Sequence, residues 1–276
     1  MAIKYLFLLP AIILLIFFTL WPLGELLIVS MQKTDYITTI FVGFQNYIDI
    51  FKSGSFISAG LNSLLYMFWL ILLTVFLPLL IALWIWRLPK KWLDASRIIF
   101  YLPTFSAGVI ISQLWKWIFH IAGPINILIK STGLEPINFF GNGPIAISTV
   151  AIIVSFSGVG GNLIILLAYI QSIDKGILES AQLDGAGWSR ISWAIIFPEL
   201  AKVVGVLSLL SAIGAAQIFE TVQQLAPYDY AATMTYRIWL EAFQYSRHGS
   251  AAAMAVVFLI VMVGMALLKN KVADEN

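Results

Sequence analysis

The sequence predicts an all-α membrane protein that crosses the bilayer several times. Of its 276 residues, 61% are hydrophobic and only 11% are charged, whereas an ordinary soluble domain carries about 25% charged residues. The mean hydropathy is +0.93, and long apolar runs recur along the chain. A soluble globule of this length would need far more polar surface to cover itself. The composition therefore excludes a soluble enzyme, a disordered tail and a coiled coil.

Six apolar segments are long enough to be membrane spans. A helix needs about 20 apolar residues to cross a hydrocarbon core of about 30 Å. The first segment is interpreted as a retained anchor, because its apolar stretch is too long for a signal peptide and lacks a clear small-residue cleavage site. The sequence thus predicts about six transmembrane helices, at residues 5–29, 62–86, 98–119, 144–170, 203–222 and 250–268.

The charged residues predict the orientation of these spans and exclude several partners. Lys and Arg gather in the segments on one side of the predicted spans, with a dense cluster at 87–97, and such a bias marks the cytoplasmic side. Both termini are therefore predicted to be cytoplasmic. The formal net charge is only +2, so the chain lacks the strongly positive charge that would attract nucleic acid. The chain has no Cys and two distant His residues, so neither a metal site nor a catalytic residue is predicted.

One predicted cytoplasmic loop, at about 171–202, differs from the rest of the chain. Asp174 can cap a helix that begins there, and the sequence 184–187 then interrupts the helical pattern. A second short helix is predicted, with Pro198 closing it before the next span. Small residues would leave this helix–turn–helix with a bare surface. On these grounds alone, the loop either admits a partner closely or is a connector that packs on its own bundle.

The spacing within this loop resembles the cytoplasmic coupling loop of permease subunits in binding-protein-dependent ABC importers. That family pattern reads Glu-Ala-Ala, three residues, Gly, nine residues, Ile, one residue, Leu-Pro. The chain departs from it conservatively, with Ser180 in place of Ala and Phe197 in place of Leu. The resemblance implies that the loop contacts an ATPase through Glu179, Ser180, Ala181, Asp184, Gly185, Ala186 and Pro198.

Weaker similarities extend over nearly the whole chain. Residues 41–47, 101–103, 167–171 and 235–243 look like segments of the carbohydrate-uptake branch, on the side of the maltose- and glycerol-phosphate-type permeases. One departure is the sequence 225–227, which reads Leu-Ala-Pro where the family often has Gly-Gly-Pro. We therefore expect residues 1–276 to form a single transmembrane domain of such an importer.

The resemblance also implies the partners and the absence of a cofactor in this chain. The expected partners are a second homologous permease that forms a heterodimer with this one, two ATPase subunits and an external solute-binding protein. The chain has no Gly-x-x-x-x-Gly-Lys-Ser/Thr loop that could hold phosphates. ATP and Mg²⁺ are accordingly expected on the ATPase subunits, and the chain itself is expected not to be an enzyme. The expected location is the cell membrane.

The predicted solute path follows the polar interruptions in the fourth and fifth segments. Lipid cannot satisfy such groups, so they must face protein or a water-filled route. An aromatic ring with amide or hydroxyl neighbours suits a sugar. The candidates are Phe156, Ser157, Gly158, Gly161, Asn162, Ser211 and Gln217. The alternative is that the small residues among them are packing contacts between helices.

Two other classes of protein remain as alternatives. A secondary transporter of a neutral solute, driven by an ion gradient, would bury charges at mid-membrane and often shows repeated halves. An intramembrane enzyme would need a buried set of His, Asp, Glu or Ser. The sequence shows none of these signals, so both alternatives rank below the importer.

Overall fold

The fold is a bundle of long helices with shorter helices at its two ends. The computed structural model describes residues 8–34, 38–105 and 108–274. Helices in the first half of this part are α1 (Leu9–Ser30), α2 (Gln45–Lys52), α3 (Gly54–Ile85), α4 (Lys90–Tyr101), α5 (Gly108–Ile118) and α6 (Pro124–Ser131). Those that follow are α7 (Gly143–Ser172), α8 (Lys175–Leu183), α9 (Trp188–Ala216), α10 (Glu220–Leu225), α11 (Met234–Trp239) and α12 (His248–Asp274).

Five of these helices are long and apolar enough to cross a membrane. Among the described residues they are α1, α3, α7, α9 and the first part of α12, His248–Leu267. The chain is thus a multi-pass helical membrane protein, as predicted. Helix α3 begins at Gly54, well before the predicted start at residue 62, whereas α7 matches the predicted fourth span within two residues at each end.

The predicted third span is not one continuous helix, so the count of six is not confirmed. Helix α4 ends at Tyr101, a 3₁₀ turn covers Leu102–Phe105, and α5 begins at Gly108. Pro103 lies in that turn, where it has no N–H for a helical hydrogen bond and its ring disfavours continued α-helix. The two shorter helices replace the predicted span.

The predicted fifth span is also displaced along the chain. Helix α9 begins at Trp188 and ends at Ala216, so the second helix of the 171–202 loop is continuous with the span. The prediction that Pro198 closes that loop helix is wrong. A π turn at Ser192–Ile196 precedes the proline, and the Phe197 N–H donates to the Ser192 carbonyl five residues earlier.

A π turn also precedes a proline inside two other long helices. A π turn at Ile16–Leu20 precedes Pro22, and one at Leu72–Phe76 precedes Pro78. A proline inside an α-helix lacks the N–H and clashes with the carbonyl four residues earlier. A π turn places one extra residue in the turn, so each helix passes its proline without ending.

The core lies along α7, which contacts two separate apolar clusters. Around its first half are Tyr66, Ile147, Val150 and Val222 at what we call the far end of the bundle. Around its second half are Leu79, Leu83, Leu163, Leu167, Ile191 and Leu200 at what we call the loop end. Helix α1 lies outside both clusters, because none of the residues in its most apolar stretch is buried. It packs mainly on α12.

A small β-hairpin at the far end departs from the all-α prediction. Strands β1 (Gln32–Thr34) and β2 (Thr39–Phe41) are antiparallel, with Lys33 opposite Ile40. The buried Asn46 amide of α2 donates to the carbonyls of Ser30 at 2.8 Å and Gln32 at 2.9 Å. This side chain therefore ties the hairpin and α2 to the end of α1.

Candidate functional site

Helix α8 forms the exposed first half of the 171–202 loop. Asp174 is its N-cap, as predicted, and the carboxylate accepts a hydrogen bond from the Gly176 N–H at 2.8 Å. Such a cap satisfies a backbone donor that a helix start leaves free and complements the helix dipole. No residue of α8 is buried. The helix is thus mostly exposed, with Leu178 and Ala181 packed partly against the loop-end cluster.

The turn after α8 is a Schellman motif that needs a glycine. The Ala186 N–H donates to the Ala181 carbonyl at 2.9 Å, and the Gly185 N–H donates to the Gln182 carbonyl at 3.0 Å. Gly185 has a φ of +80°, a conformation that side chains with a Cβ disfavour. An added Cβ there would meet nothing within 4 Å. The glycine is therefore required by the backbone, and it also leaves an open surface.

The structure brings six of the seven predicted coupling residues together. Glu179, Ser180, Asp184 and Gly185 are exposed, while Ala181 and Ala186 are half-buried against the loop-end cluster. Pro198 is exposed but lies past the π turn, inside α9. Sequence reasoning missed Leu183, which ends α8 with 90% of its side chain exposed. A single leucine among small and polar residues follows no pattern that would predict its exposure.

A groove of about 650 Å³ separates α8 from α4. Its walls are partly charged, with Lys90, Asp94 and Arg97 from α4 and Glu179 from α8. Arg97 is paired with Asp94 on its own helix at 3.1 Å. The groove thus keeps α8 apart from α4 along its charged side.

Three predicted path residues meet at Thr74, in the middle of α3. The Thr74 hydroxyl lies 3.0 Å from the Ser211 hydroxyl of α9, and the Asn162 amide of α7 donates to the Thr74 carbonyl at 2.5 Å. Gly158 lies one turn from Asn162, and a Cβ added there would come 3.1 Å from the Thr74 methyl group. A polar cluster therefore joins three spans at one level of the bundle.

Asn162 has a structural partner that the sequence did not reveal. Pro78 has no N–H to donate to the carbonyl of Thr74, four residues earlier. Polar side chains of neighbouring helices re-satisfy such freed carbonyls in membrane proteins, and the Asn162 amide does so here. Pro78 in α3 thus leaves the Thr74 carbonyl without a backbone donor, and the Asn162 side chain in α7 supplies the donor instead.

The other four path candidates lie outside this cluster. Phe156 is half-exposed and meets Trp115 edge-on, with ring centroids 5.3 Å apart. The Ser157 carbonyl accepts the Thr104 hydroxyl at 2.9 Å, and an added Cβ at Gly161 would meet nothing within 4 Å. Gln217 is exposed just past the end of α9. The structure does not bring these residues together.

Gly160 is a close-approach position that sequence reasoning missed. A Cβ added there would lie 2.5 Å from the carbonyl carbon of Phe100 and 2.6 Å from the Cα of Tyr101. The backbone at the end of α4 therefore rests directly on α7. The sequence marks a glycine-rich stretch here, but it does not show which glycine faces a neighbour.

The structure also shows a buried charge pair that the sequence did not reveal. Arg237 is 6% exposed and Glu241 is 3% exposed, and their side chains are 2.5 Å apart. Asp229 pairs with the same arginine at 3.1 Å, and Arg247 lies 3.8 Å from Glu241. The pair lies at α11 and the π turn Leu240–Gln244, outside the five candidate spans.

Comparison with known proteins assigns a class to this helical bundle with its exposed, glycine-turned loop. No protein-family model matches the chain. The arabinooligosaccharides transport system permease protein AraP of Bacillus subtilis (strain 168) is 25% identical over 280 residues, covering 99% of this chain and 89% of that protein. The sn-glycerol-3-phosphate transport system permease protein UgpA of Agrobacterium fabrum is 24% identical over 281 residues, covering 99% and 94%.

Solved structures agree with these relatives. One is a chain from the crystal structure of a bacterial alginate ABC transporter in complex with an alginate pentasaccharide-bound periplasmic protein. It is 26% identical, covers 99% of this chain and 94% of that chain, and superposes with a TM-score of 0.86. The resemblance to a carbohydrate-uptake ABC permease is thus confirmed over the whole chain. Because the relatives are transport permeases, the prediction that the chain is not an enzyme is also confirmed.

Proposed function

We propose that this chain imports a carbohydrate delivered by an external binding protein, and that the 171–202 loop couples it to separate ATPase subunits. The observation that carries the coupling role is the exposed helix α8 with its bare Gly185 turn. A helix without a buried residue, ending in the 90% exposed Leu183, suits insertion into a groove of another protein. The relatives carry sugars or a sugar-phosphate-like compound, which supports the substrate class.

The proposal includes the partners and the orientation. A second, homologous permease completes the transport path, and two ATPase subunits bind ATP and Mg²⁺. The loop end of the bundle faces the cytoplasm of the cell, as the Lys and Arg bias suggests, and both termini lie on that side. The binding protein docks at the far end, and residues 1–276 act as one domain.

The proposed solute path passes the cluster at Thr74. Hydroxyl and amide groups in the middle of the bundle are the kind of hydrogen-bond partners that a sugar needs. Phe156 on α7 offers a half-exposed aromatic ring. The Asn162 amide is already bonded to the Thr74 carbonyl, so Ser211 and Phe156 are the better contacts for a solute. Gly161 leaves open space on the same helix, Gly158 lets α7 approach Thr74 closely, Ser157 lies beside them, and Gln217 lies toward the far end.

The coupling role can be tested with two substitutions at one position. Gly185→Trp adds a bulky side chain to the open surface and also strains a φ of +80°. Gly185→Asn is the matched control, because asparagine tolerates this conformation and stays small. Both variants are reconstituted with the subunits that co-purify from the native host. ATP hydrolysis and uptake are measured with a panel of radiolabelled mono-, di- and oligosaccharides and glycerol 3-phosphate.

We expect Gly185→Trp to insert normally but to lose coupling between hydrolysis and uptake, whereas Gly185→Asn retains most of it. If the tryptophan variant still binds the ATPase and transports at the parental rate, the loop does not have this role. If the purified subunit transports with no ATPase partner at all, the importer proposal itself fails.

A secondary transporter is the second candidate, and only the buried Arg237–Glu241 pair favours it. Buried charge pairs are typical of ion-coupled carriers. This pair lies outside the five candidate spans, where it can instead stabilise the packing at the far end of the bundle. Uptake into vesicles that depends on a proton or sodium gradient, and not on ATP, would favour the carrier.

A further inference from the structure

The second helix of the 171–202 loop is fixed to the end of a span that is distant in sequence. The Trp86 indole N–H at the end of α3 donates to the Ser192 hydroxyl at 2.9 Å. That hydroxyl in turn donates to the Leu83 carbonyl at 3.2 Å. Because α3 ends in carbonyls without helical partners, Ser192 satisfies one of them and at the same time receives the indole.

A second contact between the same elements lies one turn away. The guanidinium carbon of Arg87 stands 4.7 Å from the ring centroid of Trp188, within the range of a cation–π interaction. Between the two contacts, Ile191 is 1% exposed and packs in the loop-end cluster. We call these contacts, made by Trp86, Arg87, Trp188 and Ser192, the α3–α9 clamp.

The first helix of the loop is attached to the bundle more loosely, with Leu178 and Ala181 packed partly against the loop-end cluster. Helix α8 has no buried residue, and the groove of about 650 Å³ lies between it and α4. The Schellman turn at Gly185 closes α8 with two hydrogen bonds, and the chain continues from it into the clamped segment. A movement of α8 can therefore reach the bundle through the clamp as well as through α7.

From the clamp, α3 runs directly to the polar cluster in the middle of the bundle. Its π turn at Leu72–Phe76 lies next to Pro78, and π turns and prolines are the places where helices bend. Thr74, inside that turn, holds Asn162 and Ser211. Helix α3 thus links the loop end to the proposed solute path.

We propose that Trp86 and Arg87 are positioning residues for transport, which carry the movement of the loop into α3 and so to the Thr74 cluster. This inference rests on the proposed coupling function and extends it, since the loop would otherwise act only on the spans it connects, α7 and α9. The clamp stays closed throughout the cycle, and the bend in α3 occurs at the π turn.

Conservative substitutions test the clamp in the complex purified from the native host. Trp86→Phe removes the hydrogen bond to Ser192, whereas Ser192→Ala removes that bond and the bond to the Leu83 carbonyl. Both substitutions keep most of the packing. Trp84→Phe is the matched control, because Trp84 lies two residues away on α3 with 68% of its side chain exposed. The readouts are ATPase subunits retained on purification, hydrolysis rate, and labelled saccharide transported per ATP hydrolysed.

We expect both clamp variants to retain their ATPase subunits. Trp86→Phe, which loses one hydrogen bond, should transport roughly fivefold less per ATP, and Ser192→Ala, which loses two, should transport less still. The control should match the parent. An unchanged ratio of transport to hydrolysis in the Trp86→Phe/Ser192→Ala double variant would overturn the clamp role. Failure of the parental complex to contain an ATPase would instead overturn the proposed function.

A cross-link keeps the inference testable if the substituted complexes do not assemble. The chain has no cysteine, so Arg87→Cys and Trp188→Cys can be joined by a short, cleavable thiol reagent. A clamp that stays closed predicts that the cross-linked complex transports as fast as the same complex after cleavage. Transport that stops on cross-linking and returns on cleavage would show that the clamp opens, which contradicts the proposal.

Discussion

Gly160 sets how closely α4 approaches α7, and replacing it with alanine gives a sharp test of the packing. The added Cβ would lie 2.5 Å from the Phe100 carbonyl carbon and 2.6 Å from the Tyr101 Cα, whereas ordinary contact begins at 3.4 Å. These are backbone atoms, so no side-chain rotation can relieve the clash. The end of α4 must retreat by roughly 1 Å, and overpacking of this kind costs about 1–3 kcal/mol.

The neighbouring glycine supplies the control. An added Cβ at Gly161 meets nothing within 4 Å, and alanine is favoured over glycine inside a helix by about 1 kcal/mol. Gly161→Ala should therefore be neutral or stabilising, while Gly160→Ala destabilises. Thermal unfolding of the purified variants in detergent, followed by tryptophan fluorescence, measures both changes. Equal stabilities for the two variants would refute the direct contact between α4 and α7.

Two further predictions concern the buried polar groups. Asn162→Leu should destabilise the protein by about 1–3 kcal/mol, because the Thr74 carbonyl loses its donor. In a Pro78→Ala background the restored backbone N–H can take that carbonyl, so the same change should cost about 1 kcal/mol less; additive unfolding energies would contradict this. Arg237→Met should cost about 3–5 kcal/mol, since it leaves Glu241 buried without its closest partner. The Arg237→Met/Glu241→Leu double variant should regain most of that loss in the same unfolding assay, and no recovery would contradict the pairing.

The amino-acid pattern predicted the parts of the fold that depend on single segments. Apolar length alone identified α1, α3, α7 and α12, because a bilayer imposes a length on any helix that crosses it. The cap at Asp174 and the glycine turn at Gly185 could also be predicted, since both depend on local backbone chemistry.

What the pattern missed depends on contacts between distant segments or on how a helix accommodates proline. Pro198 was expected to end a helix, but the π turn before it lets α9 continue. Thr74 meets residues 88 and 137 positions away, and no local spacing relates them. The roles of the seven coupling residues and of the path residues stay predictions, because each role depends on contact with a second molecule.

The packing of α1 on α12 has a consequence for the order of assembly. Helix α1 is the first of the five candidate spans to be synthesised, yet it packs mainly on the last of them. Until α12 emerges from the ribosome, the side of α1 that packs on α12 can contact lipid or the insertion machinery. The interior of the bundle can thus form before α1 takes its place, so α1 completes the packing of the five spans although it is made first among them.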